Sequence, residues 1–162
     1  MLNYYKNIEN TFDFKLNLTI LAVSFAKILI AIYFYSPLPE DNYIPYLQEI
    51  VKNFSIFPDE SFVSKNPDLH FPYGIMMVIV FYPLFTLSNI LNFSQEFAYF
   101  GTLLISDLII LFILFKIANY SKFKLTFFYW MNPIIIIVIY FLGFNDVIPT
   151  LFLVLTIYFL KF

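Results

Sequence analysis

The sequence contains no cysteine and only one histidine, His70. Without cysteine the chain can form no disulfide framework, no cysteine-ligated metal site and no thiol-based catalytic centre. A single histidine excludes a His-rich metal site. Arginine is also absent, and the nine lysines form no basic patch outside the loops predicted to be cytoplasmic. We therefore expect no nucleic-acid partner.

Charged residues are scarce in general. They make up 12% of the chain, whereas 61% of the residues are hydrophobic and 23% are aromatic, with a mean hydropathy of +0.80. A soluble domain has about 25% charged and about 45–50% apolar residues. The composition therefore predicts an all-α integral membrane protein, with one transmembrane domain covering 1–162. About four spans are predicted, at 16–35, 97–118, 125–142 and 147–160.

The apolar run Tyr73–Leu91 leaves the topology open between four and five spans. If it crosses the membrane, the lysines between the second and third predicted spans face the side opposite the amino terminus. If it lies on the outer surface, six of the nine lysines gather on the cytoplasmic side, as the positive-inside rule prefers. Those six are Lys6, Lys15, Lys116, Lys122, Lys124 and Lys161. We adopt four spans with both termini cytoplasmic.

The predicted outer loop, 36–96, is acidic and contains juxtamembrane helices. A spacing of three and four residues predicts an amphipathic helix on the membrane surface, with Ile44, Leu47, Val51 and Phe54 on its apolar face. The loop faces the same side as the short connector between the last two spans, Gly143-Phe144-Asn145-Asp146. A carboxylate there is costly in hydrocarbon but not at a wet membrane surface, so the connector is a candidate site.

Several short motifs occur in an order typical of one enzyme class. In chain order they are Glu40-Asp41-Asn42-Tyr43, His70-Phe71-Pro72-Tyr73, Ser106-Asp107-Leu108, Tyr129-Trp130-Met131-Asn132-Pro133 and Gly143-Phe144-Asn145-Asp146. Together they resemble the amino-terminal half of GT-C superfamily glycosyltransferases. The similarity is greatest to the GPI mannosyltransferase I type and to bacterial enzymes that use polyprenol-phosphate sugars. Because that family has about twice as many spans, the resemblance implies a fragment or a split or truncated gene product.

The resemblance implies transfer of a sugar, such as mannose, from a polyprenyl-phosphate carrier to an acceptor hydroxyl on the outer or lumenal face. Such a reaction needs a base against that hydroxyl and stabilisation of the departing phosphate. Asp41 matches the family's catalytic acid position and is the expected base. The remaining expected substrate contacts are Glu40, His70, Asn145, Asp146 and Lys27, the last as a group that holds the carrier phosphate.

Each of these residues also has an ordinary structural interpretation. Asp41 is a good N-cap for the helix predicted near Tyr43, and Asp59 or Glu60 could be the base in its place. Asn145 and Asp146 favour a tight turn, and His70 could simply be polar surface.

Lys27 and Asp107 fall near the middle of predicted spans, where an ionisable group is costly unless it is paired. Mutual pairing of the two is the simplest interpretation.

The expected partners are a lipid-linked sugar donor and a glycan or lipid acceptor. The expected location is the bacterial inner membrane or the endoplasmic reticulum membrane. A second chain that supplies the missing helices is also expected. No cofactor is required by the sequence, and a divalent cation is compatible with the carboxylates. Two other classes remain open, a non-catalytic scaffold or accessory subunit and a small transporter. The transporter is suggested by Lys27 and Asp107 but disfavoured by the absence of an internal repeat.

Overall fold

A computed structural model describes residues 2–34, 37–53, 60–65, 74–118 and 120–161, the side chains of 2–12, 60, 61 and 74 excepted. Every regular element in these ranges is helical, which confirms the predicted all-α class. The helices are α1 (Leu2–Tyr33), α2 (Ile44–Asn53), α3 (Glu60–Lys65), α4 (Gly74–Leu91), α5 (Gln95–Ile117), α6 (Lys122–Leu125), α7 (Pro133–Ile136) and α8 (Val147–Lys161). Three π-helical turns extend them: Pro39–Tyr43 before α2, Thr126–Trp130 after α6 and Ile137–Phe141 after α7.

Several helices are suited to a membrane. Asp13–Tyr33 and Gln95–Ile117 are each long and apolar enough to cross one. A third crossing forms if Lys122–Trp130 and Pro133–Phe141 count as one span, although they meet at 47°. Ile75–Leu91 and Val147–Lys161 are apolar but shorter. Two or three of the predicted spans are thus supported, and the prediction of a membrane protein agrees with the fold.

The first helix is longer than the predicted span, 16–35. It begins at Leu2, because the polar segment before the apolar stretch contains no proline or glycine that would stop a helix. It ends at Tyr33, shortly before Pro37. The candidate membrane span within it, Asp13–Tyr33, agrees with the predicted span, and the additional helical turns precede it.

The predicted straight span 125–142 is broken in the middle; we call its two halves, Lys122–Trp130 and Pro133–Phe141, the bent span. Pro133 occupies the first position of α7, where its missing N–H is harmless. The side-chain oxygen of Asn132 accepts the N–H of Ile134 at 2.9 Å and so caps the second half. An Asn-Pro pair thus ends one helix and starts another, which produces the bend.

α4 lies within the stretch predicted to be an outer loop and forms a hairpin with α5. Asn92 takes a left-handed conformation (φ 55°) and Ser94 caps α5 by accepting the N–H of Phe97 at 3.2 Å. These two residues reverse the chain, and α4 packs along α5. The segment 74–91 is therefore an integral part of the helical core.

α2 has the amphipathic pattern that the sequence predicted, but its apolar face is covered by protein, not by lipid. It packs on α4 and α5, with Ile44, Leu47, Ile50 and Val51 buried. A stack of rings holds this junction: Tyr43 lies 6.1 Å and Phe81 5.0 Å from Tyr99, between ring centroids. The sequence did not predict that α4 and α5 would cover this face, and the position of α2 at the membrane surface stays a prediction. Phe54 lies outside the described residues.

One end of the bundle is rich in lysine. Lys122 Nζ lies 3.7 Å from the Asp13 carboxylate, and Lys161 Nζ donates to the carbonyl of Ile117 at 2.7 Å. These contacts bring the start of the apolar part of α1 and the ends of α5 and α8 together. We call this the basic end; it carries Lys15, Lys116, Lys122, Lys124 and Lys161. From here the bent span rises to Gly143 at the opposite end, which we call the tip end.

Candidate functional site

The tip end is organised around Gly143. Its φ of +73° is a left-handed conformation, and a Cβ at this position would overlap Pro39 Cγ. Only glycine therefore allows both the turn and the close approach of Pro39. The Tyr99 hydroxyl donates to the Gly143 carbonyl at 2.9 Å. The turn Pro39–Tyr43, the start of α5 and the connector before α8 consequently meet at one point.

This meeting brings the two predicted polar segments together. Glu40 and Asp41 lie in the turn Pro39–Tyr43, and both are exposed to solvent. Asp41 is not the N-cap, because the helical turn already begins at Pro39. Tyr46, one turn further on, stays a neutral hydroxyl, because burial raises its pKa above the ordinary value. Both Glu40 and Asp41 are thus accessible at the tip end.

Asn145 and Asp146 differ sharply in environment. Asp146 is exposed, whereas the Asn145 side chain is fully buried. Neither the oxygen nor the nitrogen of that amide has a hydrogen-bond partner among the described residues. The predicted turn is stabilised by backbone groups instead, with the Ile148 N–H bonded to the Asn145 carbonyl at 3.0 Å. A buried amide without partners costs roughly 1–3 kcal/mol, so its presence calls for a reason other than the turn.

An apolar cavity of about 260 Å³ opens beside the tip, between the bent span and α8. Asp146 lies at one end of its lining and Tyr129 at the other, with Val138, Val147 and Thr150 between them. Because Tyr129 also contacts the middle of the bundle, the cavity extends from the tip towards the centre. A hydrocarbon groove with a carboxylate at its mouth suits a lipid whose polar group stays at the surface.

The centre of the bundle holds a second polar cluster. It consists of Lys27 and Asp107, which we call the central pair, and of Tyr129 and Tyr140. Lys27 Nζ lies 2.8 Å from Asp107 Oδ2, and both side chains are completely buried. Tyr129 donates to Asp107 Oδ1 at 2.6 Å, and Tyr140 donates to Oδ2 at 2.9 Å. Both carboxylate oxygens are thus satisfied, which removes much of the cost of burying this charge.

Trp130 completes the cluster. The Lys27 ammonium lies 3.3 Å from the centre of the Trp130 ring, a cation–π contact in a desolvated setting. The indole N–H donates to the Ile20 carbonyl at 3.2 Å. The pairing of Lys27 with Asp107 that their positions predicted is therefore present. The role of Lys27 in holding a phosphate stays a prediction, and here its ammonium faces Asp107.

Tyr129 and Tyr140 in this cluster, and Tyr99 at the tip, were not among the expected site residues. Tyr129 and Tyr140 are eleven residues apart, about three helical turns, so one helix face would present both. Together with the buried charge expected at Asp107, that spacing was a usable signal. The role of Tyr99 at the tip had no signal in the sequence, because nothing local distinguishes it from the other tyrosines.

The remaining predicted residues lie outside what the structure describes. His70, Asp59 and the aromatic-proline motif are in undescribed ranges, and Glu60 is described without its side chain. Among the residues that are described, no three His, Asp or Glu side chains lie close enough to hold a metal ion.

In comparisons with known proteins, no family model, no curated protein and no solved structure matched the chain significantly.

Proposed function

We propose that the chain is part of a membrane glycosyltransferase of the GT-C type, which transfers a hexose from a polyprenyl-phosphate carrier to an acceptor hydroxyl at the outer or lumenal face. The observation that supports this proposal is the contact between Pro39 and Gly143. It joins the segment bearing Asp41 to the segment bearing Asn145 and Asp146. A transferase needs its base, its acceptor and its lipid-linked donor at one height above the membrane.

In the proposed reaction Asp41 accepts the proton of the acceptor hydroxyl as that oxygen attacks the anomeric carbon of the sugar. The bond between the anomeric carbon and the phosphate oxygen breaks, and the polyprenyl phosphate leaves with the electron pair. The apolar cavity beside Asp146 receives part of the carrier chain, while the exposed carboxylate of Asp146 stays at the level of the sugar. The proposal includes four spans, with the tip end outside and the basic end in the cytoplasm.

The test is a transfer assay in vesicles that contain the purified chain and a polyprenyl-phosphate hexose with a radioactive sugar. Labelled product is measured after addition of a membrane lipid extract as acceptor. Asp41→Asn keeps the shape of the side chain but cannot take a proton, so we expect a loss of about 10²–10⁴-fold. Asp13→Asn, at the basic end, is the matched control and should retain the wild-type rate.

Equal rates for wild type and Asp41→Asn would refute the role of Asp41. If the wild-type chain transfers no label, the assay is repeated with the product of the adjacent open reading frame. Absence of transfer in that second assay would refute the enzymatic function and favour an accessory subunit.

A further inference from the structure

Two apolar cavities flank the first half of the bent span at the basic end. The first, about 330 Å³, lies between α1 and this half and is lined mainly by Lys15, Leu16, Thr19, Phe123, Phe127 and Met131. The second, about 490 Å³, is lined by Tyr120, Lys124, Leu125 and Phe128. Each cavity thus combines a hydrocarbon wall with one lysine. Neither is used by the proposed reaction, which takes place at the tip end.

The lysines stand at the height of lipid head groups. The apolar run of α1 begins at Leu16, so Lys15 lies directly at its end. Its long side chain can bring the ammonium to the membrane surface while its methylene groups stay on the cavity wall. Lys122 is at the same height, because it contacts Asp13.

The basic end has a net positive charge even when Asp13 is included. Asp13 faces Lys122 at 3.7 Å, but both side chains are more than half exposed, at 56% and 55%. An exposed pair of that kind contributes little and is screened by salt. Lys15 and Lys124 form no ion pair among the described side chains. Two ammonium groups therefore remain available beside the apolar cavities.

We propose that this region is a binding site for an anionic glycerophospholipid of the cytoplasmic leaflet. The lipid phosphate lies between Lys15 and the lysines that open the bent span, and one acyl chain enters the first cavity. A free anion does not explain the apolar lining, and a zwitterionic lipid does not explain the lysines. Basic pockets between membrane helices on the cytoplasmic side are a known basis for such selectivity.

The chain carries its own reporter for this site. Trp130 is the only tryptophan, and it directly precedes Met131, which lines the first cavity. Bromine atoms on an acyl chain quench tryptophan fluorescence at short range. The purified protein is placed in phosphatidylcholine nanodiscs containing a small fraction of brominated phosphatidylglycerol. A parallel sample contains the same fraction of brominated phosphatidylcholine. We expect stronger quenching by the anionic lipid.

Three variants test the two parts of the site. Lys15→Gln removes one head-group contact and should reduce the preference for phosphatidylglycerol about fivefold, the effect of one lysine near an anionic lipid. Thr19→Phe keeps every lysine but fills the cavity, and should remove the quenching difference. Lys116→Gln is the matched control, because it removes a charge at the same end without lining either cavity.

The proposal is overturned if wild type shows no preference for the anionic lipid. It is equally overturned if Lys116→Gln lowers the preference as much as Lys15→Gln does, since the attraction would then be a general effect of positive charge. A preference that survives Thr19→Phe would exclude the acyl chain from the first cavity. Unchanged Trp130 emission in non-brominated lipid verifies that each variant is folded.

Discussion

Asn145 combines complete burial with an amide that no described group of the protein satisfies. Replacing such an amide by an apolar side chain of similar size removes an unmet desolvation cost. We therefore expect Asn145→Leu to raise the free energy of unfolding by about 1–2 kcal/mol. The measurement is unfolding in mixed micelles as a denaturing detergent is added. Thr86→Val is the control, because Thr86 Oγ1 is also buried without a partner.

The two variants separate stability from function. Thr86→Val should be stabilised and keep its transfer activity, whereas Asn145→Leu should be stabilised and lose activity, if the amide contacts a substrate. A destabilised Asn145→Leu would contradict this interpretation and indicate that the amide is satisfied in the folded protein.

Lys27 presents the opposite case, a buried charge with every partner in place. Lys27→Met leaves the Asp107 charge uncompensated in the centre of the bundle, which should cost about 3–5 kcal/mol of unfolding free energy. Lys124→Met, at an exposed position, should stay within about 0.5 kcal/mol of wild type in the same micelle titration. The double variant Lys27→Met/Asp107→Leu should recover part of the loss, because no unpaired charge remains. A Lys27→Met variant as stable as wild type would show that the pair is not a stabilising contact.

At the scale of elements, the contact between the turn Pro39–Tyr43 and the connector before α8 depends on one missing methyl group. Gly143→Ala places a Cβ where Pro39 Cγ lies, at a φ that alanine rarely adopts. We expect it to lower the stability by more than about 1 kcal/mol and to reduce transfer by moving Asp41 away from the tip.

Gly101→Ala is the matched control for this effect. A Cβ at Gly101 meets only the end of the flexible Leu84 side chain, at 3.3 Å, and the residue lies within α5. Alanine is favoured over glycine in a helix by about 0.8–1 kcal/mol, so this variant should be neutral or stabilised. If both glycine variants lose the same stability, the close approach of Pro39 is not the cause.

The elements also show what a sequence can predict. The span Gln95–Ile117 matches the predicted 97–118, because a long apolar run that follows a serine N-cap strongly favours one continuous helix. The bend at Asn132-Pro133 was missed although both residues are strong helix signals, since hydropathy averaged over the run hides a local break. The tip contact could not be predicted, because Pro39 and Gly143 are far apart in sequence and only the packed bundle brings them together.

The whole molecule has a charge asymmetry that predicts its orientation. The basic end and the tip end lie on opposite sides of the central pair, and Lys27 is about 21 Å along α1 from Asp13. Because the chain has no cysteine, single cysteines report the orientation directly. With an impermeant thiol reagent in intact cells, we expect labelling at 41, 92 and 146 but not at 121.

The same experiment decides the placement of α4. Labelling at 121 from outside, without labelling at 146, would contradict the proposed orientation and with it the proposed site. The pairing of Lys27 with Asp107 was predicted correctly, because an isolated charge in an apolar run has few other possible partners. The packing of α2 on α4 could not be predicted, since amphipathicity indicates that a face is covered but not by what.

The central pair joins residues that are 80 positions apart in the chain, and this separation has a consequence for biosynthesis. At about 5–20 residues per second, α5 follows α1 out of the ribosome after roughly 4–16 s. During that interval Lys27 has no carboxylate to face. α1 must therefore be retained in the insertion machinery, or enter the lipid with an unpaired lysine, until Asp107 arrives. The pair thus cannot form until the fifth helix has been made, so it forms late in the insertion of the chain.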